Sequence, residues 1–217
     1  MTRWIDVSVP LERHTPTWPG SRGFRLDRIQ EIGPTTAAVS VLTADVHCGT
    51  HVDAPRHFLA DGGTVDQIPL ERFIGPAFVA HLEVRDLLTA DALEAAGIPP
   101  AAHRLLLRTD NSALWSPPGA TFRVDFAALD APAAEWVVAR GIELLGVDYL
   151  SVEAFGGGGE VHRKLLRADV TLVEGLNLSR IQQGWHDLIC LPLLLVGAEG
   201  SPARVLLRQN RLAGDSC

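Results

Sequence analysis

The sequence predicts an α/β fold: a single compact domain over residues 1–217, with a mixed, curled, barrel-like β-sheet flanked by a few helices. Three observations predict it. Strand-like segments dominate the chain. Helical stretches are fewer, and the mixture suits one sheet with helices packed on it. No internal repeat or low-complexity linker divides the sequence, and the only compositional break, the glycine run 156–159, is a loop rather than a domain boundary.

In chain order the expected strands cover 4–9, 37–47, 77–84, 104–109, 143–148, 170–174, 187–195 and 204–207. Thr89 can cap a short helix that ends before Gly97, and a longer helix is expected over 132–140 with Gly141 as its stop. A third begins near Glu160 and carries His162, with Leu165 and Leu166 on the next turn facing the core. The glycine run is followed by Glu160-Val161-His162 instead of the Gly-Lys-Ser/Thr of a phosphate loop, and the acid would repel phosphate.

Apolar residues make up 47% of the chain, enough for a substantial core. A net charge of −7 argues against nucleic acid as the main partner, because phosphate neutralisation needs a basic surface. A local positive pocket is compatible with that charge, so an anionic small substrate stays open. The first residues lack the uninterrupted apolar stretch of a secretory signal, and the run 188–198, interrupted by Pro192, is too short to span a bilayer. Three cysteines without a C-x-x-C pair suit a reducing cytosol, so a cytoplasmic protein with no membrane partner is expected.

The most informative stretch is His47-Cys48-Gly49-Thr50-His51-Val52-Asp53-Ala54-Pro55-Arg56-His57. His47, His51, Asp53 and His57 all occupy odd positions, so an extended chain points them to one face. A straight strand would leave His47 and His51 about 13 Å apart at about 3.3 Å per residue, too far to share an ion comfortably. A bend at Gly49-Thr50 can close that gap. Cys48 has the wrong parity and is expected to pack behind the ligands. A metal site needs a further carboxylate or imidazole from elsewhere. Glu174 and Asp148 each end an apolar strand and compete for that role, since a buried acid needs a partner. His81 is expected to face solvent, and His14, His103 and His186 to be ordinary surface or edge residues.

The string His47-x3-His51-x-Asp53-x-Pro55-x-His57 resembles the signature of the cyclase family, metal hydrolases that include bacterial kynurenine formamidase and isatin hydrolase. Pro16-Thr17-Trp18-Pro19-Gly20, Leu145-Gly146-Val147-Asp148, Val173-Glu174-Gly175-Leu176 and Leu191-Pro192-Leu193 resemble further family segments in the same order. The resemblance implies that His47, His51, Asp53 and Glu174 hold one divalent ion and that Asp53, His162 and Glu174 hold a second. It makes His57 the catalytic proton-transfer residue and Trp18 a substrate-binding residue, in a domain assembled as a homodimer or larger. Tyr149-Leu150-Ser151-Val152-Glu153-Ala154-Phe155 departs from the Thr-Pro-Ser type of continuation of the dedicated kynurenine formamidases.

A nitrogen–oxygen ligand set suits Zn2+ or Mn2+. The expected activity is therefore hydrolysis of an aryl formamide or related cyclic amide by a metal-bound hydroxide. Isatin-type lactam opening, lactone hydrolysis and cyclisation with loss of water use the same site and stay open. An iron oxygenase built on His51, Asp53 and His162 would leave His47 and His57 surplus, and no Arg-x-Ser/Thr follows His162 to hold an oxo-acid. A non-catalytic metal-binding protein would close its ligand shell.

Overall fold

The apolar runs over 104–108, 144–147 and 171–174 are strands buried on both faces, as parallel strands covered by helices must be. A computed structural model describes residues 3–116 and 121–209. In chain order it contains β1 (Ile5–Asp6), β2 (Phe24–Gln30), β3 (Val39–Ala44), β4 (His51–Asp53), β5 (Ile74–His81) and β6 (Leu87–Leu88). After these come α1 (Ala90–Ala95), β7 (Arg104–Arg108), β8 (Ala128–Leu129), α2 (Ala131–Ala139) and β9 (Leu144–Val147). The chain continues with α3 (Glu160–Arg167), β10 (Thr171–Glu174), β11 (Gly184–Pro192) and β12 (Gly200–Gln209).

The main sheet runs β12-β11-β5-β7-β9-β10-β4 and closes by pairing β4 with β12, so seven strands form a barrel, and β1 adds to β12. The steps β5–β7, β7–β9 and β9–β10 are parallel. Those joining β11, β12 and β4 are antiparallel. The curled mixed sheet expected from the sequence is thus observed.

Alternation along the strands separates two cores. Leu106, Val52, Val79, Val173, Leu188 and Val205 pack together inside the barrel. Leu105, Leu107, Leu145 and Leu172 face outward beneath Ala134, Val137 and Leu165 of α2 and α3. His51 and Asp53 flank the inward-facing Val52, which puts them on the outer face, towards α3.

Thr89 caps α1 by accepting from the Ala92 N–H. Asp130 caps α2 by accepting from the Ala133 N–H, with Pro132 in the first turn where its missing donor costs nothing. The expected strand over 37–47 is shorter and belongs to a separate hairpin with β2, which the sequence did not suggest. His14, His81 and His103 are exposed, as expected. His186 is a correction: it is buried, and its Nδ1 lies 3.0 Å from the Gly184 carbonyl oxygen. It shares the parity of buried Leu188 and Cys190 on β11, a strand paired on both sides rather than an edge. Among the described residues, no helix is long and apolar enough to cross a membrane.

Candidate metal centre

The bend foreseen at Gly49 is present, with φ of +64°. It turns the chain so that the rings of His47 and His51 stand 5.1 Å apart. β4 then sets His51 directly opposite Glu174 of β10, on the same face of the sheet. The crossing is tight: Gly175, at φ +73°, has the Gly49 carbonyl where a Cβ would go. Gly200 on β12 leaves room for His47, whose Cε1 would lie only 2.6 Å from a Cβ there.

Two groups of donor atoms result. His47, His51 and Asp53 form one, and Asp53, His162 and Glu174 form the other, with the donors of each group within 4.8 Å of one another. Asp53 belongs to both. His51 Nε2 lies 3.4 Å from Asp53 Oδ1 and 3.4 Å from Glu174 Oε2, and His162 Nε2 lies 3.4 Å from Glu174 Oε1. A divalent cation fits this donor set. The donors are imidazole and carboxylate without thiolate, and buried His47 Nε2 and Asp53 Oδ2 have no hydrogen-bond partner.

The outer nitrogens are fixed as metal-site imidazoles need to be. His51 Nδ1 lies 2.9 Å from the Gly49 carbonyl oxygen, which turns Nε2 towards the carboxylates. His162 Nδ1 lies 2.8 Å from Glu153 Oε2. Glu153 also accepts from the N–H groups of Gly159, Glu160 and His162, so one carboxylate caps α3 and orients its histidine. Sequence reasoning missed this role. The only signal was an acid just ahead of the glycine run. Phe58, also missed, stacks on His162 at 4.3 Å and meets His57 edge-on at 4.5 Å.

Burial on its own would lower the imidazoles, but acidic neighbours outweigh it. Hydrogen bonds and charge from Asp53 and Glu174 push His51 up to about 10. Glu153 and Glu174 do the same for His162, also to about 10. Burial would raise the Asp53 carboxyl, yet His47 and His51 hold it well below the usual carboxylate range. Glu174 is lowered as well, burial and Asp53 being offset by His162 and His51.

His57 follows Pro55 in a short 3-10 turn. Its ring stacks on His47 at 3.8 Å, while its Nε2 stays 4.0 Å from Asp53 Oδ2 and in neither donor group. Burial lowers its pKa, with Asp53 pulling the other way. Cys48 is buried behind the site, and burial pushes its thiol up to about 11. Asp148 does not reach the donors. It accepts from the N–H and hydroxyl of both Thr109 and Ser112 at 2.7–3.1 Å.

A cavity of about 560 Å³ opens over the donors, with His51, His57, His162 and Glu174 at its floor and Trp18 and Phe155 on its wall. Trp18 packs against Phe122 and Phe155, with ring centroids 5.1 and 5.3 Å away.

Buried imidazole and carboxylate donors below a cavity, with one further imidazole left outside both donor groups, are the equipment of a metal-dependent hydrolase. The chain belongs to the cyclase family, whose model matches residues 5–154. It is 35% identical to the kynurenine formamidase of Geobacillus thermodenitrificans over 96% of this chain and 99% of that protein. It is 36% identical to cyclase-like protein 1 of Arabidopsis thaliana over 93% of this chain and 83% of that one. Among solved structures it resembles a potential metal-dependent hydrolase with cyclase activity (TM-score 0.85, 30% identity, 97% of this chain and 99% of that). It also resembles isatin hydrolase A from Ralstonia solanacearum (TM-score 0.81, 27% identity, 96% and 92%).

Proposed function

We propose that this chain, as one domain over residues 1–217, hydrolyses an aryl formamide or a related cyclic amide with two divalent ions, Zn2+ or Mn2+. The observation that carries the proposal is the pair of donor groups sharing Asp53, with His57 beside them but outside both. A kynurenine formamidase relative and an isatin hydrolase neighbour support the substrate class. His47, His51, Asp53 and Glu174 would hold one ion, and Asp53, His162 and Glu174 the other. Such ions, when bound, supply Lewis acidity and a water acidified towards neutral pH.

The side chains do the rest. His57, neutral at pH 7 because its pKa is lowered, takes a proton from the attacking water and returns it to the departing amine nitrogen. Trp18, backed by Phe122 and Phe155, forms a wall for a flat ring. An oxygenase triad of His51, Asp53 and His162 would leave His47 and Glu174 idle inside the same donor groups.

Metal-stripped protein should regain formanilide or isatin hydrolysis only on reloading with zinc or manganese, with close to two ions per chain by elemental analysis. Trace metal and no turnover in any loaded form would overturn the proposal. His57→Ala should keep its metal and lose turnover by roughly 10²–10⁴-fold, the scale of a general acid–base group. Metal lost together with activity would make His57 a ligand.

A homodimer is part of the same proposal. The β2–β3 hairpin exposes Leu26, Ile29, Val41 and Leu42, and a lone two-stranded hairpin is marginal in water. A second copy of the chain would cover that surface; a monomer in sedimentation at micromolar concentration counts against it. Free, buried Cys48 and Cys190 agree with a cytoplasmic location.

A further inference from the structure

We propose that Asp45 makes the site selective for charge, favouring aryl amides whose ring carries a cationic or hydrogen-bond-donating substituent over those carrying a carboxylate. This preference presupposes the hydrolase function proposed above and narrows its substrate class.

The cavity has a depth gradient. His51, His162 and Glu174 are buried at the floor, whereas Trp18 is 37% and Phe155 44% exposed. Asp45 and Ser21 line the same cavity and are half-buried, so they belong with the rim. The Asp45 carboxylate is held in place. Its Oδ2 accepts from the Ser21 hydroxyl at 3.0 Å and its Oδ1 from the His47 N–H at 3.1 Å. Each oxygen keeps a lone pair for a ligand.

Of the basic side chains, the imidazoles of His47 and His51 are near enough to act on its charge. Among the described residues lining the cavity there is no lysine or arginine. Arg163 does not line it; the guanidinium is turned onto the Gly158 carbonyl oxygen and over the Phe58 ring. Trp18 and Phe155 present ring surface, which also favours a cation. Asp53 and Glu174 would offset half of the charge that two divalent ions bring to the floor, and the remainder would face the reacting carbonyl. A substituent at the far end of the ring therefore meets Asp45. A fixed charge a few ångströms away in a half-exposed setting discriminates by about tenfold or more.

The test compares kcat/KM of the metal-loaded protein for three formanilides at low ionic strength: unsubstituted, aminomethyl-substituted and carboxylate-substituted at one ring position. The expected order is ammonium, neutral, carboxylate. Asp45→Asn keeps an oxygen to accept from the His47 N–H, and the Ser21 hydroxyl can turn to accept from its amide N–H, but the charge is gone, so the ammonium-to-neutral ratio should fall about tenfold. General damage to the fold would lower both substrates together and leave that ratio unmoved. An unchanged ratio in the variant, or a parent enzyme that prefers the carboxylate, overturns the proposal while leaving the hydrolase function standing. Absence of turnover on all three by the loaded parent overturns both. If the variant does not fold, inhibition of the parent decides. Benzylammonium competing better than benzoate, by a margin that shrinks with added salt, supports Asp45, and the reverse order overturns it.

Discussion

His162 is oriented by a residue nine positions earlier in the chain, and that dependence can be measured. Glu153 receives Nδ1 of His162 and three N–H groups of the first turn of α3. Glu153→Gln keeps a carbonyl oxygen for the cap but can present an N–H to Nδ1. The imidazole would then carry its proton on Nε2, facing Glu174, where a metal ligand needs a lone pair. Metal affinity at this centre should fall by roughly 10–100-fold, the usual cost of losing such a support. Chelator competition would read this, with circular dichroism confirming that α3 is retained; unaltered metal affinity would reduce Glu153 to a helix cap. Neither Glu153 nor Asp45 was legible in the sequence. Their roles depend on partners fixed only by the fold, whereas His47, His51, Asp53 and His57 announce themselves by crowding into eleven residues.

At the scale of elements, Asp148 shows how a buried acid can be structural. It ends β9 like a ligand, yet its oxygens face the loop after β7, accepting from Thr109 and Ser112. Burial raises its pKa while those four donors pull it down. Asp148→Ala would strand the Thr109 and Ser112 N–H groups in the interior, at about 1–3 kcal/mol each. A loss of about 3 kcal/mol or more is therefore expected in denaturant unfolding. Asp148→Asn should cost much less, because its oxygen can serve the N–H donors while the Thr109 hydroxyl turns to accept. Equal losses for the two variants would point to packing rather than hydrogen bonding. The strands themselves were legible to different degrees, for a physical reason. β7, β9 and β10 are buried on both faces, so they read as continuous apolar runs. β2 carries Arg25, Asp27 and Arg28 on a hairpin with no core beneath it, and β4 is three residues long. Neither leaves a periodic trace.

For the whole molecule, the metal centre should tie stability and metal uptake to pH in opposite senses. Without metal, the carboxylates of Asp53, Glu174 and Glu153 hold protons on His51 and His162, each with a pKa of about 10 against 6.5 when unperturbed. A group whose pKa is raised by folding stabilises the fold fully below its unfolded value and loses that contribution as pH climbs through its folded one. The metal-free protein should therefore lose stability progressively between pH 6.5 and about 10. A divalent ion held by His51 or His162 would need the same nitrogens deprotonated, so uptake would expel these protons, and affinity should rise with pH across that window. Bound metal also stabilises the native state by mass action, adding about 2.7 kcal/mol at a free concentration 100 times Kd. The gap in melting temperature between loaded and metal-free protein should accordingly widen from pH 6.5 to 9. Calorimetric titration with zinc at pH 7.5, in two buffers of different ionisation enthalpy, would detect the released protons directly. Identical heats in both buffers would mean that His51 and His162 are already neutral, and that the carboxylates around them are not acting as their counter-charges.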